Sequence, residues 1–343
     1  MAQEIERKKE CLKMQISLVK SDKIQLTQSI EPNAIHNRYD LLYGDDYDLL
    51  KIDGENSVSY IPFKKMGEMG RIGLYLREAK DLVGGGASVA ECASFLFKTY
   101  PDLQDIFVLH TYIPLPDTKT GIHWHVDLPK TIEEFDSTLS SKVRYNTKWY
   151  PKKIRENVGE YEIKILKSDE CPEFVVKTYL KWKKETHGFN WSDQPKEYLR
   201  KNGITNVYVM QVNEEILAIG FICDTGENAF FENTAFNEKY KKYSVGIVLY
   251  HFIVADLIKK GKKKLFLLGG NLEYKRHYNG IQTATYTGHI YRDPEMRQKI
   301  LKVAEKIKAF PLPKKLKKKL ASLYGRFFLS PYYKQCLKME VMK

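Results

Sequence analysis

Two similar α/β units in one chain, each a mixed, twisted sheet flanked by helices, are predicted by three features of the sequence. Sheet-like runs lead from Asn206 through Lys241-Lys242-Tyr243-Ser244-Val245-Gly246 into an apolar helix, then to a second apolar run, Lys264-Leu265-Phe266-Leu267-Leu268-Gly269-Gly270. A strand-like run at Gly73–Arg77, the loop Gly84-Gly85-Gly86, a helix and a strand-like run at Ile106–His110 repeat that order in the first half. The 343 residues are long enough for two domains with cores of their own. Two such sheets are expected to meet across a cleft, where ligands prefer to bind.

From Leu12 to about Asp127, short strand-like runs alternate with turns at Gly44-Asp45-Asp46 and Asp53-Gly54. Ser88–Tyr100 reads as a helix stopped by Pro101. Pro129–Ser137 leads into the second unit, whose first helix carries Lys142, Arg144, Lys148, Lys152, Lys153 and Arg155. Tyr161–Leu166 is a predicted strand, and Glu173–Thr186 and Pro195–Lys201 are predicted helices, the latter stopped by Gly203. Three consecutive strands follow at Val207–Gln211, Ile216–Cys223 and Phe230–Phe236. Ser244 suits the N-cap of the apolar helix and Gly261 its C′ position, with Lys259 and Lys260 favourable in the last turn. Apolar residues surround this helix almost completely, so it should be covered on several sides. Strand, helix and strand in this order imply parallel pairing across a crossover. The units are expected to span 1–128 and 129–293. A basic tail, 294–343, has predicted helices at Arg297–Phe310 and Lys314–Phe328, separated by Pro311 and Pro313.

Apolar residues at 43% with 29% charged exclude a disordered chain. The net charge of +13 favours anionic partners: nucleic acid, anionic lipid, coenzyme A or nucleotide-sugars. Cys11, Cys92, Cys171, Cys223 and Cys336 lie far apart with no CxxC pair, which argues against a disulfide framework and suits a reducing compartment. Met1–Glu10 is charged and lacks the apolar region of a signal peptide. Val245–Ile258 is interrupted by His251 and Asp256 and is shorter than the roughly 20 apolar residues a bilayer needs. A cytoplasmic protein is expected. In the tail, Lys314-Lys315-Leu316-Lys317-Lys318-Lys319-Leu320 with Leu323, Tyr324, Phe327 and Phe328 has two readings. Such a helix packs on its own domain with a solvated basic face, the favoured reading, or lies on an anionic membrane surface.

The turn before the apolar helix is a natural anion cradle, because the first backbone N–H groups of a helix have no intrahelical partner and sit at the positive end of its dipole. Gly246 suits a close approach of backbone and phosphate. The plain alternative is an ordinary turn with solvated lysines. In order and spacing, the three strands, the Tyr243-Ser244-Val245-Gly246 turn, its helix, Leu267-Leu268-Gly269-Gly270 and Tyr274-Lys275 resemble the GNAT acyltransferase superfamily. The branch resembled is that of the BioF2-like and FemX-type proteins, with tandem GNAT-like domains. Leu139-Ser140-Ser141-Lys142-Val143-Arg144-Tyr145-Asn146 through Arg155 looks like the basic helix that opens such a domain. The resemblance spans roughly residues 125–292; the turn keeps a single glycine.

That resemblance implies acyl-CoA as donor, no metal, and a cofactor cradle at Lys241, Lys242, Tyr243, Ser244, Val245, Gly246 and Asn271. It also implies that Glu232, in Phe230-Phe231-Glu232-Asn233-Thr234-Ala235-Phe236, lies on the strand that splays near the thioester. Glu232 is then a candidate general base, or else a carboxylate paired with a lysine at the sheet surface. His125, in Gly121-Ile122-His123-Trp124-His125-Val126-Asp127, is the rival base, since histidine titrates near neutrality. His123 and His125 also have a metal-ligand spacing, but no third ligand accompanies them. The resemblance places Trp124 and His125 beside the acceptor, and His123, Asn233 and Tyr274 join this substrate set. Lys275 either holds a ligand phosphate or caps a helix. Trp182 and Trp191 either stack on a sugar or base or fill the core.

Acyl transfer to an amine needs a held donor, a neutral amine and a preorganised oxyanion site. Direct attack is expected, because no Cys or Ser sits in a nucleophile setting. The leading expectation is an N-acyltransferase moving an acetyl or short hydroxyacyl group, such as 3-hydroxybutanoyl, to a nucleotide-linked amino sugar such as a dTDP-3-amino-3,6-dideoxyhexose, for surface polysaccharide. A FemX-type transferase using aminoacyl-tRNA and a cell-wall precursor is the alternative. A non-catalytic binding protein on the same fold is the third.

Overall fold

The computed structural model describes residues 15–20, 48–53, 58–72, 89–111, 119–188, 192–225, 227–270, 272–329 and 331–342. Within them the strands are β1 (Gln15–Lys20), β2 (Asp48–Asp53), β3 (Val58–Met66), β4 (Met69–Ile72), β5 (Asp105–Thr111) and β6 (Lys119–Asp127). The second half supplies β7 (Tyr161–Lys167), β8 (Asn206–Val212), β9 (Glu215–Thr225), β10 (Asn228–Phe236), β11 (Lys264–Gly269) and β12 (Ile281–Tyr291). They form one sheet in the order β1-β2-β3-β4-β5-β12-β6-β11-β10-β9-β8-β7.

That order reads the same from both ends once six is added to each number of the first half. The chain is thus a tandem repeat with a pseudo-twofold axis between β12 and β6. In each half one pair is parallel, β4 with β5 and β10 with β11, and a helix makes each crossover. The last strand of each half then changes sides. β6 pairs with β11, β12 pairs with β5, and the two exchanged strands pair with each other. The expected cleft between two separate sheets is therefore replaced by a continuous ladder. The physical reason is that β5 and β11 would otherwise be edges with a row of unpaired backbone groups.

The helices are α1 (Val89–Thr99), α2 (Ile132–Thr138), α3 (Ser141–Asn157), α4 (Glu173–His187), α5 (Pro195–Lys201), α6 (Val245–Lys259), α7 (Glu273–His277), α8 (Pro294–Ala309), α9 (Lys314–Phe328) and α10 (Pro331–Met342). Thr131 Oγ1 accepts from Glu134 N at 3.1 Å while the Glu134 carboxylate accepts from Lys130 N, so α2 starts in a reciprocal cap. The strand expected at Gly73–Arg77 lies outside the described residues; β4 ends just before it. Neither β12 nor α10 was apparent from the sequence.

As expected, α6 is covered on several sides, by β8, β9 and β10 on one flank and by α2 and α3 on others. Its two polar interruptions are satisfied. Asp256 accepts from the Tyr208 hydroxyl and from Lys260, and His251 Nε2 lies 2.8 Å from Asp136 Oδ1 on α2. Gly261 occupies the left-handed C′ position, φ +73°. Among the described residues no helix is long and apolar enough to cross a membrane, and Cys92, Cys171, Cys223 and Cys336 are buried and form no disulfide. The tail helices α8 and α10 share a small core of Ile300, Ala304, Ile307, Tyr332, Cys336, Leu337 and Val341, braced by Arg297 and Glu340 at 2.7 Å.

Candidate active site

The parallel ladder between β10 and β11 lasts three residues, Asn228–Lys264, Ala229–Leu265 and Phe230–Phe266. Both strands then deviate at the same level. In β10 the register with β9 jumps between Phe231 and Asn233, leaving Glu232 as the extra residue of a β-bulge. In β11 the register with β6 jumps between Phe266 and Leu268, and Leu268 adopts φ +58°. A bulge bends its strand, so two facing bulges open a gap where the ladder stops.

On the α6 face of that gap lies a cavity of about 350 Å³. Phe231, Thr234 and Phe236 of β10, Lys241, the α6 start from Ser244 to Ile247, Tyr250, and Leu272 and Tyr274 enclose it. Four of the seven cradle residues expected from the sequence, Lys241, Ser244, Val245 and Gly246, line it together with Tyr274. Ser244 begins α6 but in a left-handed conformation, φ +51°, and its side chain makes no capping bond, contrary to its expected role. Gly246 has a packing reason to lack a side chain: a Cβ there would stand 3.2 Å from Phe236 Cδ1. Lys242 and Tyr243 stand in the preceding 3-10 turn, with the ammonium 5.0 Å from the ring centre. Asn271 lies outside the described residues.

The cavity head is aromatic. Tyr250 meets Phe231, Tyr274 and Tyr278 edge-on at 5.4, 5.5 and 5.0 Å. Burial pushes the Tyr274 phenol up to about 12 and raises Tyr250 well above the ordinary tyrosine value. Both are protonated donors at neutral pH. The Tyr250 hydroxyl is buried with no hydrogen-bond partner among the described residues, an orphan that a polar group of a ligand would satisfy. An apolar lining with one buried hydroxyl and a helix N-terminus has the chemistry that would hold a pantetheine arm and its phosphates.

The opposite face of the sheet carries other predicted residues. Trp124 is buried in the α6-side core, so strand alternation turns His123 and His125 the other way. His125 sits beside Phe266, ring centres 5.8 Å apart, and its Nε2 is 3.8 Å from Asp127. Asn233 pairs with Phe221, and Trp182 packs on the core containing Phe221, so both lie on this second face. Trp124 and His125, grouped as acceptor neighbours from the sequence, are therefore separated by the sheet. Trp191 lies outside the described residues. Glu232 is at the gap itself, with Oε1 shielded from solvent.

Lys275 is 2% exposed, and its ammonium donates to the carbonyls of Leu268, Gly269 and Gly270. It locks the bent end of β11. His123 is buried against Gly269 on the same bend. Phe231, Thr234, Phe236, Ile247, Tyr250 and Leu272 were missed from the sequence. The five on β10 and α6 look like core residues, and Leu272 follows no period.

Residues 141–276 match the family described as the acetyltransferase (GNAT) domain. No curated protein sequence matches the chain. Among solved structures, the chain is similar to the C-terminal DUF2156 domain of a protein named as a lysylphosphatidylglycerol synthetase in Agrobacterium fabrum. The TM-score is 0.50 at 11% identity, covering 76% of this chain and 88% of that one. It is also similar to FemX, with TM-score 0.51 at 8% identity, covering 70% and 88% respectively. At such identities the likeness extends to the fold.

Proposed function

We propose that this protein is an N-acyltransferase that takes its acyl group from acyl-CoA and passes it to an amine. The observation that carries the reading is the gap between β10 and β11, opening from the apolar cavity beneath the α6 start. The donor supplies a thioester carbonyl at that gap. Glu232 takes the amine proton as nitrogen bonds to the carbonyl carbon, and backbone N–H groups of the splayed strands hold the oxygen. As the carbon–sulfur bond breaks, the proton that Glu232 took passes to the departing sulfur, which leaves as the free thiol, with the Tyr274 hydroxyl as a hydrogen-bond donor to it. His125, on the far face, is assigned to the acceptor side with Asn233. The proposed acceptor is a nucleotide-linked amino sugar and the proposed setting the cytoplasm.

The second reading, aminoacyl transfer from tRNA, is favoured by the sparse charge at the cavity mouth. Lys241 is paired with Glu238 at 3.1 Å and Lys242 lies on Tyr243. Backbone N–H groups would carry most of the diphosphate recognition, and the same cavity would take an acyl group on another carrier. The test is free-thiol release from a panel of acyl-CoAs, with and without nucleotide-linked amino sugars. Acceptor-dependent release from one short acyl-CoA is expected. Release from none, with transfer from an aminoacyl-tRNA to a cell-wall precursor amine, selects the second reading.

A further inference from the structure

The tail holds most of the charge of the molecule. Residues 294–343 contain fourteen Lys and Arg against three acidic residues, which accounts for eleven of the thirteen net positive charges. The sequence favoured self-packing of α9, and only one face of it packs: Ala321 and Gly325 are buried, the latter against Lys334 of α10. The other apolar face is bare. Leu316, Leu320, Leu323, Tyr324 and Phe327 fall at i, i+4, i+7, i+8 and i+11, a single stripe, and all are exposed. Phe327 is 71% exposed and neighbouring Phe328 68%. Helical geometry puts Lys315, Lys319 and Arg326 along one flank of the stripe; Lys317, on the other, is half-buried and donates to the Lys308 carbonyl.

We propose that α9 docks this protein on an anionic membrane surface, with the Leu/Phe stripe in the acyl-chain boundary and the flanking lysines among lipid phosphates. Apolar stripes between basic flanks bind interfaces by both routes at once. A phosphate backbone alone gives Leu320, Leu323 and Phe327 nothing to bury against, which disfavours RNA as occupant. The crowded lysines disfavour a second copy of the same face. Docking would also orient the site. β11 and β12 run in the same direction, both antiparallel to β6, and β12 continues beyond the level of Gly269 to Tyr291, just before α8. The tail thus leaves the sheet at the edge where β10 and β11 part. The docking proposal stands on α9 alone and does not depend on the acyl-transfer reading.

The test is sedimentation of the full chain with vesicles of phosphatidylcholine, and of phosphatidylcholine mixed with phosphatidylglycerol. Binding to the anionic vesicles is expected, weaker by about tenfold or more for the exposed double variant Leu320→Ser/Phe327→Ser. Lys317→Gln/Lys318→Gln/Lys319→Gln should weaken binding most at low salt, where charge is least screened. As a second readout, Phe327→Trp should shift its emission to the blue when anionic vesicles are added. Absent sedimentation, a double variant with wild-type melting that binds as wild type, or an unshifted tryptophan would overturn the proposal. So would a stripe-dependent dimer, or tRNA binding that needs the stripe while vesicles are ignored.

Discussion

Glu232 is the proposed base, and a bulge puts its carboxylate at the point where two strands part. Removing its basicity without its shape should slow turnover selectively. Glu232→Gln is predicted to lower kcat by about 10²–10⁴-fold while CoA binding by calorimetry stays near wild type. Lys275 makes a different prediction. Its ammonium serves three carbonyls in a dry site, so Lys275→Met would leave those acceptors unmet. A stability loss of about 1–3 kcal/mol is expected in denaturant titrations; unchanged stability with lost ligand affinity would instead favour a phosphate-binding lysine. Tyr274 adds a pH dependence. Its phenol sits at about 12 in the folded chain, above the value of about 10 in an unfolded one. The folded state therefore holds an extra proton between these values, and the stabilisation present below about pH 10 is lost as pH rises through about 12. Denaturant melts stepped through that window should show stability falling, less steeply in Tyr274→Phe.

At the scale of elements, the gap depends on how β11 ends. The chain turns back at Gly280, where a Cβ would lie 2.4 Å from the Lys275 carbonyl oxygen and 2.8 Å from Trp124. Gly280→Ala should cost about 1–3 kcal/mol by overpacking, read as a lowered melting temperature. Much of this architecture was legible. The strands from Asn206 to Phe236, the long apolar helix and its parallel crossover follow from period, caps and the handed connection. Ser244 was misread as a side-chain cap because its residue type suits one, whereas the tertiary fold holds it left-handed. Trp124 and His125 lie on opposite faces because neighbours in sequence are not neighbours in space on a strand. Glu232 could be singled out only by resemblance, since no local pattern announces a bulge.

For the whole molecule, the exchange of β6 and β12 was invisible to the sequence. Pairing partners of strands far apart in the chain are set by which edges remain open, not by local composition. The exchange makes each half incomplete without the other. Residues 1–128 and 129–343, expressed separately, are predicted to lack cooperative melting and to regain it when co-expressed; two independently cooperative halves would contradict the shared ladder. Polar contacts between the halves follow the same logic of interlocking. Arg292, just past β12, donates to the carbonyls of Phe97, Tyr100 and Leu103 at the end of α1, tying the last strand of the second half to the first.

The most direct test of the account is a calorimetric titration of the full chain with coenzyme A, repeated on Lys241→Glu. The cavity beneath α6 predicts one site, weakened about tenfold when a carboxylate replaces the ammonium at its mouth. No binding, or equal affinity in the two proteins, would contradict the assignment of this cavity to the acyl donor.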